Sequence, residues 1–176
     1  MTNLLLPVKA SPHDYPLRVS DIRRLQKADL VLWVGPNLEA FLQRPLNNIA
    51  SDKHVAVYDV PGMYWPEEEP DLHPSEAGHQ HHGHDPHVWL DPRNASVIAQ
   101  VVAKKLSEID PASSAYYTNN AKSFSAAVME LDQRLMTTLA PAREKGFAVY
   151  HEGYLHFVKR YDLQQLAYVT FTPERR

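Results

Sequence analysis

The chain has 176 residues, a formal net charge of −3 and no cysteine. Its length fits one domain or two small lobes, and apolar residues at 44% are enough to build a core. The composition argues against nucleic-acid binding, which needs a basic surface, and it excludes disulfides, thiolate zinc sites and a cysteine nucleophile. No apolar run is long enough for a transmembrane helix, so we expect a protein that does not span a membrane.

The first part of the chain alternates between strand and helix signals. Residues 3–8 predict a short buried strand that Pro7 ends. A turn-rich loop with His13 follows, and Ser20 is the predicted N-cap of a short amphipathic helix. The continuous apolar run at residues 29–35 is closed by a glycine, which predicts a strand covered on both faces, as in a parallel sheet.

A second helix and another strand complete this pattern. Pro36 is predicted to open the helix, with Leu38, Phe41 and Leu42 facing the core. Residues 54–60 predict the strand. Strands and helices that alternate in this way indicate an α/β fold with a parallel sheet.

The segment from about residue 61 to 86 has no periodic pattern and is rich in acidic residues and histidine. A loop of this length is usually functional or disordered, and its composition offers little to bury. Neutral imidazole is the commonest protein ligand of transition metals. We therefore interpret the segment as a flexible loop that contacts metal, the alternative being a merely solvated loop. Its candidate auxiliary ligands are His73, His79, His81, His82 and His84.

Two Asp-Pro pairs predict the starts of two helices, with Asp91 and Asp110 as N-caps. The inward positions of the first helix are Val97, Ile98, Val101, Val102 and Leu106. The second helix is predicted from about residue 112 to 139, a length of roughly 40 Å at 1.5 Å per residue. That length suits a brace between two lobes. Its apolar stripe consists of Tyr117, Ala121, Phe124, Val128, Leu131 and Leu135.

The last part of the chain predicts one further strand–helix–strand unit. A buried strand follows Gly146 and ends at His151. A helix is predicted at residues 154–161 and a strand at residues 163–171, with a loop after the strand. The unit is unfinished at the end of the sequence.

Three histidines stand apart from the histidine-rich segment: His13, His87 and His151. His13 and His151 follow predicted strands, and ligand sites in open parallel sheets form beyond the carboxyl ends of strands. Three imidazoles from separate segments would leave a fourth position open, which suits zinc. Taken singly, each is more typical of a surface or core histidine, so the joint site depends on their placement.

An enzyme is the weaker interpretation. His151 and His156 are similar to the zinc-protease helix motif, but that motif needs histidines four residues apart on one helical face. A pair five residues apart is turned by roughly 140° on a helix. The chain has no nucleophile elbow, Walker loop or dinucleotide-binding glycine motif. Glu152 is a candidate general base, but nothing in the sequence positions a substrate for it.

Five stretches together resemble one known family. They are LLLPVKASPHDYPLRVSDIRRLQKADLVLWVGPNLEAFL, the acidic and histidine-rich segment, DPHVWLDPRNA, the long helix, and FAVYHEGYLHFVKRY. They are similar to the cluster A-I family of periplasmic metal-binding proteins, in particular the ZnuA type that serves bacterial zinc-uptake ABC transporters. The resemblance covers nearly all of the chain and extends to the order, the spacing and the residues of these stretches.

The resemblance implies an α/β fold of two lobes with parallel sheets, joined by one long rigid helix, with the ion in the cleft between them. Residues 1–110 would form the N-terminal lobe with its histidine-rich loop, residues 111–140 the linking helix, and residues 141–176 the start of the C-terminal lobe. Both lobes are expected to be incomplete, and the family's signal peptide is expected to be missing from this chain.

The resemblance also implies the metal ligands. His13 in the PHDY turn, His87 before the Trp-Leu pair and His151 match the first, second and third ligand positions. Zinc-specific members have histidine at the third position, whereas manganese-type members tend to have a carboxylate. Pro12 stands where some members have a supplementary glutamate, and the family's late acidic residue has no counterpart here, so the fourth ligand is open.

The implied function is capture of Zn²⁺ in the periplasm and its delivery to an inner-membrane ABC permease. Such a protein is a monomer without catalytic activity. The alternative is a histidine-rich buffer or chaperone for nickel, copper or zinc that uses the loop as its main site. A zinc hydrolase that uses Glu152 is a distant third.

Overall fold

The computed structural model describes residues 2–8, 10–67 and 85–170. The described strands form two parallel pairs, β1 with β2 and β3 with β4. This arrangement, with one long helix, confirms the predicted α/β class. The helices are α1 (Val19–Lys27), α2 (Ala40–Leu46), α3 (Pro92–Ile109), α4 (Ser114–Leu139) and α5 (Leu155–Tyr161). The strands are β1 (Val31–Trp33), β2 (His54–Ala56), β3 (Gly146–His151) and β4 (Gln164–Thr170).

The predicted strand at residues 3–8 is wrong, because the described residues there form no strand. The carbonyl oxygens of Leu4 and Leu5 instead accept hydrogen bonds from the Arg24 guanidinium, at 2.6 and 3.4 Å. The Leu4 side chain is 76% exposed. An apolar run indicates a strand only where a neighbouring strand pairs with it, and here a side chain takes that place.

The predicted N-cap of α1 is also wrong. Arg18 is the N-cap residue, and Ser20 lies inside the first turn. The buried Asp21 reaches back to accept the backbone N–H of Arg18 at 3.0 Å, and it also accepts the Tyr15 hydroxyl at 3.2 Å. An acidic residue at the third helical position thus accepts the backbone N–H of the N-cap residue at the start of the helix.

The first parallel pair is shorter than predicted. Val31 and Trp33 of β1 lie in the core with Leu25, but Leu32 is 46% exposed, so the prediction of cover on both faces is wrong there. β2 ends at Ala56 because the chain turns into a 3-10 helix at Val57–Asp59.

The helix α2 begins four residues later than predicted. Pro36 lies in a turn, and the Glu39 carboxylate accepts the Val34 N–H at 2.6 Å before the helix starts. Leu38 and Leu42 are buried as predicted. The Phe41 ring packs on the core side of the helix against a tyrosine, Tyr15, at 5.8 Å between ring centroids.

The first Asp-Pro pair marks a helix start, as predicted, whereas the second caps a 3-10 turn and Ser113 is the N-cap of α4. Asp91 is the N-cap of α3, and its carboxylate accepts the Arg93 N–H at 2.9 Å. Asp110 precedes a 3-10 turn, Pro111–Ser113, that leads directly into α4. The 26 residues of α4 span about 39 Å, so the prediction of one long helix is confirmed.

The apolar stripe predicted along α4 is only partly correct. Ala121 is buried, but Phe124 is 48% and Leu131 is 42% exposed. The most buried side chain of α4 is instead charged, because Asp132 binds the guanidinium of Arg160 on α5. The periodicity of apolar residues does not reveal that a helix is held to its neighbour by a buried ion pair.

The strand–helix–strand unit after Gly146 is confirmed. β3 and β4 run parallel, from Gly146 opposite Gln164 to His151 opposite Thr170, and the register shifts by one residue between Phe147 and Ala148. The prediction that β3 is buried is wrong among the described residues, since Tyr150 is 65% exposed. The loop predicted after residue 171 lies outside the described residues. None of the described helices is long and apolar enough to cross a membrane.

Candidate metal centre

The structure brings His13, His87 and His151 together. One ring nitrogen from each lies within 4.8 Å of the other two. The ring centroids are 5.3–5.5 Å apart, and all three side chains are half-buried. Zinc–nitrogen bonds of about 2.0–2.1 Å place tetrahedral ligand nitrogens roughly 3.4 Å apart. Small ring rotations would therefore bring the three nitrogens around one ion.

Each of the three histidines sits where the chain changes direction. His13 lies in the bend before α1, and its backbone N–H donates to the Ser11 hydroxyl at 3.1 Å. His87 directly precedes the 3-10 turn Val88–Leu90. His151 ends β3. Three separate segments thus contribute one imidazole each.

The His87 ring is oriented by Asp85. Its Nδ1 lies 2.6 Å from Asp85 Oδ1, and the same oxygen accepts the His87 backbone N–H at 3.0 Å. An ionised carboxylate only accepts hydrogen bonds, so Nδ1 carries the proton, and in the neutral ring the lone pair is on Nε2. Burial raises the pKa of Asp85, but the hydrogen bonds from the ring and the backbone of His87 outweigh that effect and hold the pKa below its ordinary value.

Gly153 allows the rings of His87 and His151 to approach each other. Its φ is +155°, and a Cβ built on it would lie 2.7 Å from Cε1 of His87 and 2.8 Å from Cε1 of His151. Real Cβ atoms essentially never come so close to a neighbour. Gly153 therefore leaves the space that the two imidazoles occupy.

His156 lies behind the centre rather than in it. It is fully buried, and its Nε2 lies 3.0 Å from the backbone carbonyl oxygen of Asp85. A carbonyl only accepts, so Nε2 donates. Burial lowers the pKa of His156, which favours the neutral ring. The ring packs against Trp65 at 5.6 Å between centroids.

Asn94 on α3 joins the two described ends of the histidine-rich segment. Its Oδ1 accepts the Tyr64 N–H at 2.6 Å. Its Nδ2 donates to the carbonyl oxygens of Tyr64 and Val88, each at 3.0 Å. Asn94 is fully buried, so these hydrogen bonds fix the backbone of Tyr64 and Val88 against α3.

The remaining candidate residues have different outcomes. The auxiliary histidines of the loop, from His73 to His84, lie outside the described residues. Asp85, Gly153 and Asn94 belong to the surroundings of the site but were not predicted from the sequence. The Asp-Pro-His spacing is a weak signal for Asp85, and a glycine two residues after His151 is a weak signal for Gly153.

Comparisons with known proteins add a family match. A family model described as "ZnuA: Zinc-uptake complex component A periplasmic" matches residues 1–176. A Yersinia pestis protein named high-affinity zinc uptake system protein ZnuA is 34% identical over 98% of this chain and 60% of its own length. The Haemophilus influenzae protein of the same name is 30% identical over 98% of this chain and 63% of its own length.

A solved structure is similar over the same region. It is a crystal structure of a ZnuA deletion mutant with zinc bound, 25% identical to this chain with a TM-score of 0.75. The match covers 97% of this chain and 63% of that one. The chain therefore spans less than two thirds of the length of these relatives.

Proposed function

Given that this chain belongs to the ZnuA family of periplasmic zinc-uptake components, we propose that it binds one Zn²⁺ through His13, His87 and His151. The observation that carries the proposal is the convergence of the three imidazoles, whose ligand nitrogens all lie within 4.8 Å of one another. Zinc is the cargo of this site and is released again unchanged.

The chemistry of the cluster favours zinc over harder ions. Within the part of the chain that the structure describes, it offers three imidazole nitrogen ligands and no carboxylate. Imidazole suits Zn²⁺, Cu²⁺ and Ni²⁺, whereas Mn²⁺ prefers oxygen ligands. Zn²⁺ accepts a tetrahedral set that water or a further residue completes. A half-buried site of this kind excludes part of the solvent and still leaves a route for the ion.

The arrangement also suggests how the ion is held and released. Asp85 keeps His87 in the tautomer whose Nε2 faces the ion, and Gly153 lets the His151 ring approach it. Two ligands precede α4 and the third follows it. A relative movement of the parts on either side of α4 would open the ligand set, and the same parts would close again on a new ion.

We assign residues 1–110 to an N-terminal lobe, residues 111–140 to the linking helix and residues 141–176 to part of a C-terminal lobe. The two parallel strand pairs on either side of α4 support this division. Delivery to an inner-membrane ABC permease, action in the periplasm as a monomer, and the absence of catalysis complete the proposal. The family's description as a periplasmic zinc-uptake component supports it.

Zinc titration of the chain and of single alanine variants tests this function. Wild type should bind one tight equivalent in competition with a chelator. His13→Ala, His87→Ala and His151→Ala should each weaken that equivalent strongly, while His54→Ala on β2 should leave it unchanged as the matched control. A wild-type chain without a tight equivalent, or site variants that bind like wild type, would refute the proposal.

A chain with residues 68–84 deleted distinguishes the alternative function. A histidine-rich buffer or chaperone for nickel, copper or zinc would show several weaker equivalents that disappear with this segment. The proposed zinc carrier should keep its tight equivalent after the deletion.

A further inference from the structure

Asp85 connects two parts of the metal centre that come from different elements. Its Oδ1 accepts the ring Nδ1–H and the backbone N–H of His87. Its Oδ2 accepts the N–H of Leu155, the first residue of α5, at 3.0 Å. Its carbonyl oxygen accepts from His156 in the first turn of the same helix. We refer to these four hydrogen bonds as the Asp85 bridge.

We propose that Asp85 is a positioning residue that fastens His87 to the start of α5, so that the His87 and His151 rings stand at metal-binding separation before an ion arrives. The inference rests on the proposed function, because it assumes that these rings bind the ion. α5 begins four residues after His151, and Gly153 lies between them against both rings.

The bridge needs a carboxylate and not merely a polar side chain. Three donors face the two oxygens of Asp85, and the side chain is only 10% exposed, so water does not readily replace a lost acceptor. An amide has one acceptor oxygen and one donor nitrogen. An asparagine at position 85 would therefore place a donor against either His87 or the Leu155 N–H, and one of the two attachments would be lost.

The other end of the bridge is itself held in place. Arg160 and Tyr161, in the last turn of α5, both donate to Asp132 on α4. His156 is fully buried against Trp65. Because α5 is fixed at both ends, its attachment to Asp85 limits the movement of the His87 segment. A binding site that is ordered in advance binds more tightly, since less conformational freedom is lost on binding.

The first test compares Asp85→Asn with wild type and with Asp52→Asn, an exposed control in the 3-10 turn Ser51–Lys53. Zinc affinity from chelator competition should fall by about 10–100-fold, the usual effect of losing a hydrogen-bond partner of a ligand histidine. The control should bind like wild type. Unchanged zinc affinity in Asp85→Asn would overturn the inference.

Two readouts in the metal-free protein test the positioning role directly. Nitrogen chemical shifts of the His87 ring report whether Nδ1 carries the proton, and amide hydrogen exchange reports the Leu155 hydrogen bond. Asp85→Asn should lose at least one of these signatures while the overall fold is kept. Retention of both would overturn the inference. Since neither readout involves zinc, the inference and the proposed function can fail separately.

A second variant keeps the test decisive if Asp85→Asn does not fold. His156→Phe preserves an aromatic ring against Trp65 and removes only the hydrogen bond to the Asp85 carbonyl. Faster exchange at the Leu155 amide and faster zinc release are expected, with the Nδ1–H signature of His87 retained. Exchange and release rates equal to those of wild type would count against the bridge.

Discussion

The Asp132 carboxylate on α4 pairs with the Arg160 guanidinium on α5, with 3.0 Å between Oδ1 and Nε. Asp132 is 2% exposed, and it also accepts the Tyr161 hydroxyl at 3.0 Å. Burial raises the pKa of Asp132, but the hydrogen bonds from Arg160 and Tyr161 outweigh it and leave the pKa below its ordinary value. The long helix is thereby tied to α5, the helix that follows His151 of the candidate metal centre.

Replacing this carboxylate should make the free energy of unfolding less dependent on pH in the acidic range. A lowered folded-state pKa stabilises the fold above the unfolded-state pKa of about 3.9, and this contribution is lost as the pH falls through the folded-state value. Asp132→Asn should cost about 3–5 kcal/mol at pH 7, since it leaves Arg160 without its charged buried partner. Urea unfolding between pH 7 and pH 3 measures the difference, which should shrink below pH 4. Equal stability of the variant and wild type at pH 7 would contradict this, and Asp52→Asn is the control.

The metal preference should depend on the third histidine. We expect zinc to bind at least about 100-fold more tightly than manganese, a difference of roughly 2.7 kcal/mol. His151→Glu should narrow this gap because it adds a hard oxygen ligand. Competition titrations of both ions on both proteins measure it. Equal zinc and manganese affinities in wild type would defeat the assignment of zinc.

Deleting residues 68–84 should leave the tight zinc site in place. The backbone on either side of the deletion is held by the hydrogen bonds of Asn94 to Tyr64 and Val88, none of which involves the deleted residues. Only weaker metal equivalents contributed by the histidine-rich segment should be lost. Isothermal titration of the deleted chain checks this, and loss of the tight equivalent would be the opposite result.

The Asn94 side chain should be among the most sensitive positions of the fold. Asn94→Ala leaves the backbone groups of Tyr64 and Val88 without their buried partner, at a cost of about 1–3 kcal/mol for each unsatisfied group. We expect a destabilisation of at least about 2 kcal/mol in denaturant unfolding. Asn48→Ala, which removes an exposed side-chain hydrogen bond, should be nearly neutral. Similar effects of the two substitutions would contradict the role of Asn94.

Local signals in the sequence predicted the helices best. Asp91 marks the start of α3, and Asp110 marks the 3-10 turn that leads into α4, because an aspartate cap and the proline after it influence only a few neighbouring residues. Residues 3–8 were predicted wrongly because an apolar run does not reveal whether a partner strand exists. The exposed Phe124 on α4 shows the same limit, since burial depends on what packs against the helix.

The meeting of His13, His87 and His151 could be predicted from their positions at the ends of strands and from the family resemblance. Their role as ligands stays a prediction. Asp85 and Gly153 could not be assigned in the same way. The contacts of Asp85 with α5 cross about seventy residues of chain, and the role of Gly153 depends on ring positions that only the fold determines.

The spacing of the three histidines along the chain has a consequence in polymer terms. An ion bound to all three would close two long loops of the chain, and such a crosslink restricts the unfolded ensemble more than a local one does. Bound zinc would therefore stabilise the whole fold. Such a site is also easily weakened, because movement of any one of the three segments away from the ion leaves only two imidazole ligands. If the site holds an ion as proposed, displacement of one of these segments would release the ion without unfolding the rest of the described fold.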